Sequence, residues 1–106
     1  MMTEHDLRIV KELKRRYNAL VPIIEMRVFG SRARGDNSED SDLDIFVEVE
    51  YLDRSIRRLI QDTAWETGLD YSIVIAPIVF SRDEVENSSI RSSPIIQTVQ
   101  EEGILI

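Results

Sequence analysis

The sequence predicts a mixed α/β (α+β) domain, a small mixed β-sheet with flanking helices, formed as one domain over residues 1–106. Three observations predict it. Residues 42–49 alternate between apolar and polar side chains, the period of a half-buried strand. Residues 4–20 instead repeat apolar side chains at steps of three and four, the period of an amphipathic helix. The order of such segments along the chain, αβ–loop–βαβ–α, mixes the two types within a length that supports only one core.

Each element has its own signals. The first helix carries Leu7, Val10, Leu13, Tyr17 and Leu20 on one stripe, with Thr3 and Asp6 as a capping pair at its start and Pro22 as its stop. Residues 25–29 (EMRVF) read as a strand running into Gly30. Residues 30–41 (GSRARGDNSEDS) are polar, hold two glycines and lack periodicity, so they read as a loop. In the strand 42–49, Leu43, Ile45, Val47 and Val49 share one face, and Asp42, Asp44, Phe46 and Glu48 share the other. Asp53 is a suitable N-cap for a second helix bearing Ile56, Leu59, Ile60 and Ala64, with Gly68 as its stop. Residues 70–76 (DYSIVIA) read as a third strand closed by Pro77. Ser81 with Glu84 forms a capping box for a short helical turn, and Ser93-Pro94 opens a last helix that ends at Gly103.

Composition narrows the function classes. Hydrophobic residues make up 42% of the chain, and no apolar run approaches the length of a membrane span, so no membrane association is expected. The acidic N-terminus lacks the layout of a signal peptide, and there is no cysteine for disulfides, thiolate zinc sites or thiol nucleophiles. A cytoplasmic location fits. The net charge of −7, from 20 acidic and 13 basic side chains, disfavours general nucleic-acid binding, which runs on Lys and Arg. Clustered carboxylates can, however, hold a divalent metal.

Three features carry chemistry. Gly30-Ser31 ends a strand, where a tight turn, exposed N–H groups and a hydroxyl can hold a phosphate. Asp42 and Asp44 are two residues apart on a strand, with Cα atoms about 6.5 Å apart on one face, so their carboxylates can converge on one divalent ion or bridge two. Asp70, at the start of another strand, could face them as general base or complete the metal shell. Arg32 and Arg34 flank the phosphate position; they either neutralise phosphate charge or pair with Asp36, Glu39 or Asp40 to order the loop. Ser41 caps or orients the strand entry. Other conspicuous residues have plainer readings. His5 is solvated, Trp65 packs or sits at an interface, and Lys11, Lys14, Arg15 and Arg16, like Arg54, Arg57 and Arg58, form solvated helix faces.

Strand, Gly-Ser, a ten-residue spacer and Asp-x-Asp between apolar residues resemble the signature of the nucleotidyltransferase superfamily shared with DNA polymerase beta. The fuller stretch FGSRARGDNSEDSDLDIFVE (29–48) is similar to the minimal nucleotidyltransferase family, small proteins often encoded beside HEPN-domain partners. The terminal SPIIQTVQEEGILI is more loosely similar. The resemblance implies a polymerase beta palm-like fold in which Gly30 and Ser31 hold the nucleotide triphosphate and Asp42 and Asp44 bind two Mg2+ ions. A third acid on a later strand assists, and it maps to Asp70; Asp62, Asp83 and Glu48 are weaker candidates.

The expected activity is transfer of a nucleoside monophosphate, AMP from ATP, to a hydroxyl of a partner protein, with a HEPN toxin as partner and this chain as antitoxin, in a hetero-complex or a homo-oligomer. The rival reading is a catalytically silent binding module of the same fold that neutralises its partner by occlusion. Transfer to a small molecule is disfavoured, since such relatives usually carry an extra helical domain.

Overall fold

The computed structural model describes residues 2–87 and 89–106. Helix α1 (Glu4–Asn18) opens at Thr3, whose hydroxyl accepts the Asp6 amide at 3.0 Å. Ile9, Val10, Leu13 and Tyr17 are its buried stripe. The Tyr17 hydroxyl donates to the Ile60 carbonyl at 3.0 Å, so burying the phenol leaves no polar atom unpaired there. The helix ends at Asn18, and Leu20 lies exposed beyond it.

Strand β1 (Ile23–Phe29) pairs antiparallel with β2 (Leu43–Val49), and β2 pairs parallel with β3 (Ile75–Ser81). A two-residue strand β4 (Ile104–Leu105) adds to the other side of β1, giving the order β3-β2-β1-β4. The sheet is therefore mixed, as expected, and β4 was hidden in the apolar residues trailing the last helix.

The alternation in β2 sorts two cores. On one face Met26, Val28, Leu43, Ile45, Val47 and Val79 pack with the buried sides of α1 and of α3 (Arg54–Tyr71), including Ile60 and Ala64. On the other face Phe29 and Phe46 pack with Ile96 and Val99 of α5 (Pro94–Glu102). Val85 of the intervening helix α4 (Arg82–Asn87) and Ile90 of a following 3-10 turn (Ser89–Ser92) complete this smaller core. Asp44 and Glu48 share this second face with Phe46. The capping box before α4 forms as expected: the Ser81 amide donates to Glu84 Oε1 at 3.1 Å, and the Glu84 amide to Ser81 Oγ at 3.2 Å.

Three expectations are corrected. Residues 30–34 form a short helix, α2 (Gly30–Arg34), inside the stretch read as loop. Five residues are too few to show a helical period, and left-handed glycines at both ends (φ 76° and 85°) bound it. Helix α3 does not stop at Gly68. Its left-handed cap is Ser72 (φ 56°), whose amide donates to the Gly68 and Leu69 carbonyls. Gly68 serves close packing instead, since a Cβ there would lie 2.5 Å from the returning Ile73 carbonyl. As a consequence β3 begins at Ile75, not Asp70, and it runs through Pro77, which an edge strand tolerates.

Glu48 illustrates the cost of a buried acid. It is buried on the second face, and burial pushes its carboxyl above the ordinary range, with Glu25 adding repulsion and Arg82 opposing at a loose 3.8 Å. A carboxyl with a raised folded pKa is best tolerated when protonated, so this residue's contribution falls as pH rises through its folded value. Glu48→Gln is therefore expected to raise the melting temperature by a few degrees at pH 7, with the gain shrinking towards pH 4. Thermal melts of both proteins across that range test this; a lower melting temperature for the variant at pH 7 would reject it.

Candidate active site

The site grows from the end of β1 and the start of β2. Asp44 has Phe29 of β1 as its register partner on one side and Ala76 of β3 on the other, which sets its carboxylate at the middle of the sheet. Asp42 lies one residue before β2 and is exposed, while Asp44 is half-buried. The chain leaves β1 at Gly30 in the left-handed region (φ 76°), and a Cβ there would run into Asp44 Oδ2. Gly30 thus does two things, turning the chain into α2 and leaving room for the carboxylate.

Electrostatics at this point are unusual for so acidic a chain. Desolvation pushes the Asp44 carboxyl above its ordinary range, and the charge of Asp42 adds to the shift. Arg34 acts in the opposite direction, so its charge is felt at the carboxylate. Arg34 is itself held by Asp36 at 3.1 Å and Glu102 at 3.4 Å, both exposed pairs. Exposed pairs contribute little stability and exchange readily for a better anion. A half-buried carboxyl raised by burial and by a like-charged neighbour, with a loosely held guanidinium acting on it, forms an electrostatically incomplete site that a divalent cation would complete.

The remaining sequence candidates separate. Asp70 is the main correction. It sits in the last turn of α3, exposed and paired with Arg16 at 2.8 Å, on the helical layer that covers the opposite face of the sheet from Asp44. It cannot join Asp42 and Asp44 as a third acid. Asp62 lies on the same helix, and Asp83 bonds Asn87 within α4. Glu48 shares the face with Asp44, but four residues of strand separate them by about 13 Å. On β3, the register positions beside Asp44 and Phe46 are Ala76 and Ile78, both apolar. Among the described residues no group of three metal-ligating side chains exists.

Arg32 and Arg34 take different parts. Arg32 is only 7% exposed and its donors point inward, to Asp6 Oδ1 at 2.9 Å, to the Ser41 carbonyl at 2.9 Å and to the Glu39 carbonyl at 3.1 Å. It orders the loop, by way of a residue that no local pattern identifies, and of the two arginines it is Arg34 whose charge acts on Asp44. Sequence reasoning also missed Glu102, the second partner of Arg34, which lies 68 positions away. His5 is exposed, as expected, with its ring edge-on to Tyr71 at a centre-to-centre distance of 6.3 Å. Arg15 and Arg16 pair with Glu12, and Lys14 donates to the Ile106 carbonyl, while Lys11 and Arg15 remain exposed on the helix face, as expected. Trp65 is 67% exposed and does not pack into the core.

The chain belongs to the nucleotidyltransferase domain family, whose pattern matches residues 8–106. With fold and family in agreement, it is a nucleotidyltransferase. Among its relatives is MJ0141 of Methanocaldococcus jannaschii, a candidate protein adenylyltransferase, 32% identical over 91 residues that cover 76% of this chain and 92% of the relative. The fold is similar to a chain of a toxin–antitoxin complex crystallised with AMP-PNP (TM-score 0.62, 21% identity, 94% of this chain and 70% of that one). It is also similar to a candidate nucleotidyltransferase of Sulfolobus solfataricus (TM-score 0.61, 21% identity, 96% of this chain and 82% of that one). At such identities the structural likeness speaks for the fold. No helix among the described residues is long and apolar enough to cross a membrane.

Proposed function

We propose that this chain transfers AMP from ATP to a hydroxyl group of a partner protein, with Asp42 and Asp44 as the metal-binding pair. The observation that carries the reading is the accommodation of the Asp44 carboxylate by Gly30 beside a second, like-charged acid. Nothing in ordinary folding favours such an arrangement, because it raises the energy of the metal-free protein. Among the described residues no third acid joins the pair, which is compatible with Mg2+, commonly held by one or two carboxylates together with substrate phosphates. Bound there, the metal would supply charge neutralisation at the reacting phosphates.

The chain's own residues do the rest. Ser31 and the turn at Gly30 seat the triphosphate, and Arg34 exchanges its exposed carboxylate partners for phosphate oxygens. The acceptor oxygen forms a bond to the α-phosphorus as the bond to pyrophosphate breaks, and the hydroxyl proton leaves to solvent at the exposed Asp42 edge. Catalysis comes from positioning and electrostatics, with no covalent enzyme intermediate.

A protein acceptor follows from the kinship with a candidate protein adenylyltransferase and from a net charge of −7, which suits a polynucleotide poorly. A HEPN toxin as that acceptor, with this chain as antitoxin, is what the resemblance of residues 29–48 to the minimal nucleotidyltransferases suggests, and the fold shared with a chain of a toxin–antitoxin complex is in keeping with it. Incubation with ATP, Mg2+ and a HEPN protein encoded beside it should add AMP-sized mass increments to that protein, seen by intact-mass spectrometry. No increment with any nucleoside triphosphate would reject transfer to that partner. One observation favours a second reading, a silent module that acts by occlusion: the β3 positions beside Asp44 carry no acid. The pair Asp42→Asn and Asp44→Asn separates the two, since only an occluding module still protects cells.

A further inference from the structure

We infer that Asp6 and Arg32 are positioning residues for Asp42, forming a buried clamp that holds the approach to the site in place before any ligand arrives. The inference rests on Asp42 as a metal ligand. Asp6 is the third residue of α1, where a carboxylate ordinarily bonds back to the capping residue. Here only half of that box forms. The Asp6 amide bonds Thr3, while the carboxylate turns inward to Arg32. The side chains of Asp6 and Arg32 are 2% and 9% exposed, so the pair is almost wholly removed from water.

The geometry of Arg32 explains what the pair is for. Its Nε and one terminal nitrogen donate to the Ser41 and Glu39 carbonyls, and the other terminal nitrogen donates to Asp6. One planar group therefore ties the start of α1, the middle of α2 and the end of the loop together. The Ser41 carbonyl belongs to the peptide bond that leads into Asp42. Beyond Asp42 the Leu43 amide donates to the Val74 carbonyl at 2.9 Å, whereas on the loop side the Ser38–Ser41 bonds are local, so Arg32 is what ties that side of Asp42 to the rest of the fold. The clamp acts from a distance, by holding backbone rather than by touching the carboxylates.

The test uses the full chain in three forms: wild type, Asp6→Leu with Arg32→Met, and Arg32→Lys. The double variant removes both buried charges at once and so leaves no orphaned ion in the core. Arg32→Lys keeps a charge opposite Asp6 but gives up the planar fork that reaches both carbonyls. Two readouts are taken, hydrogen exchange of residues 36–42 without metal and Mn2+ titration in the presence of AMP-PNP. We expect about tenfold faster exchange in that segment and about tenfold weaker Mn2+ binding in both variants, with α1 and α3 protected as in wild type. A pair that merely stabilised the fold would lower the melting temperature and leave Mn2+ affinity unchanged; that result, in either folded variant, overturns the inference. Should the double variant not fold, Arg32→Lys decides on the same readouts. A wild-type protein that binds no Mn2+ with AMP-PNP would sink the metal reading of Asp42, and exchange in residues 36–42 would still judge the clamp.

Discussion

Asp44→Asn should lower nucleotidyl transfer by about 10³-fold or more and, at the same time, raise the melting temperature of the metal-free protein. The two effects have one cause. An amide of the same shape keeps the packing beside Gly30 but loses the charge that holds a divalent cation. Metal-supplied charge stabilisation at a phosphoryl group is worth several kcal/mol, and each ~1.4 kcal/mol is tenfold in rate. Without metal the sign reverses. Burial and the charge of Asp42 both raise the Asp44 carboxyl, so ionised Asp44 is a liability to the folded state. A carboxyl raised on folding gives its best stability below its unfolded pKa and loses it as pH climbs through the folded one. The variant has no such loss. Its advantage in melting temperature, measured in EDTA, should therefore be absent near pH 3 and grow towards pH 7. A melting temperature at pH 7 below that of wild type would contradict this account of the site, as would transfer retained above a tenth.

The legible and illegible parts of this chain differ for physical reasons. Strand β2 was readable because a period of two has no helical counterpart, but its expected half-burial was not: Phe46 and Glu48 on the second face are buried too, under α5 and α4, which alternation within one strand cannot reveal. The capping residues Thr3, Asp53, Ser81 and Ser93 were readable because they satisfy backbone groups within three positions of themselves. Gly68 misled because a glycine serves two unrelated purposes, ending a helix or admitting a close neighbour, and the neighbour here is Ile73, which only the folded chain brings near. That one residue displaced the helix end and so placed Asp70 on a strand. Arg32 was legible in part. Ordering the loop was one of its two readings, but its carboxylate partner Asp6 is 26 positions upstream and was accounted for by its capping role. For Asp42 and Asp44 the two-residue spacing was informative even though Asp42 lies just before the strand, since its charge is felt at Asp44.

Gly30→Ala separates the backbone from the site. At φ 76° an alanine is strained by about 1–2 kcal/mol, which in a domain of this size lowers the melting temperature by roughly 5–15 °C. The larger consequence is local. The new methyl would occupy the place of Asp44 Oδ2, and a carboxylate can rotate away at less cost than a strand can move. The protein should thus fold, with Asp44 turned from its position, and lose metal-dependent transfer by about 10²-fold or more, the usual cost of misplacing a reacting group by about 1 Å. Gly35→Ala is the control. It meets the same backbone penalty (φ 85°) at the far end of α2, about 7.5 Å along the helix axis. Melting temperatures should fall by similar amounts in the two variants, while Mn2+ binding with AMP-PNP should fail only for Gly30→Ala. Equal loss of binding in both would mean that Gly30 is needed for its turn alone. Wild-type binding in Gly30→Ala would mean that the Asp44 carboxylate does not need the space that a glycine leaves.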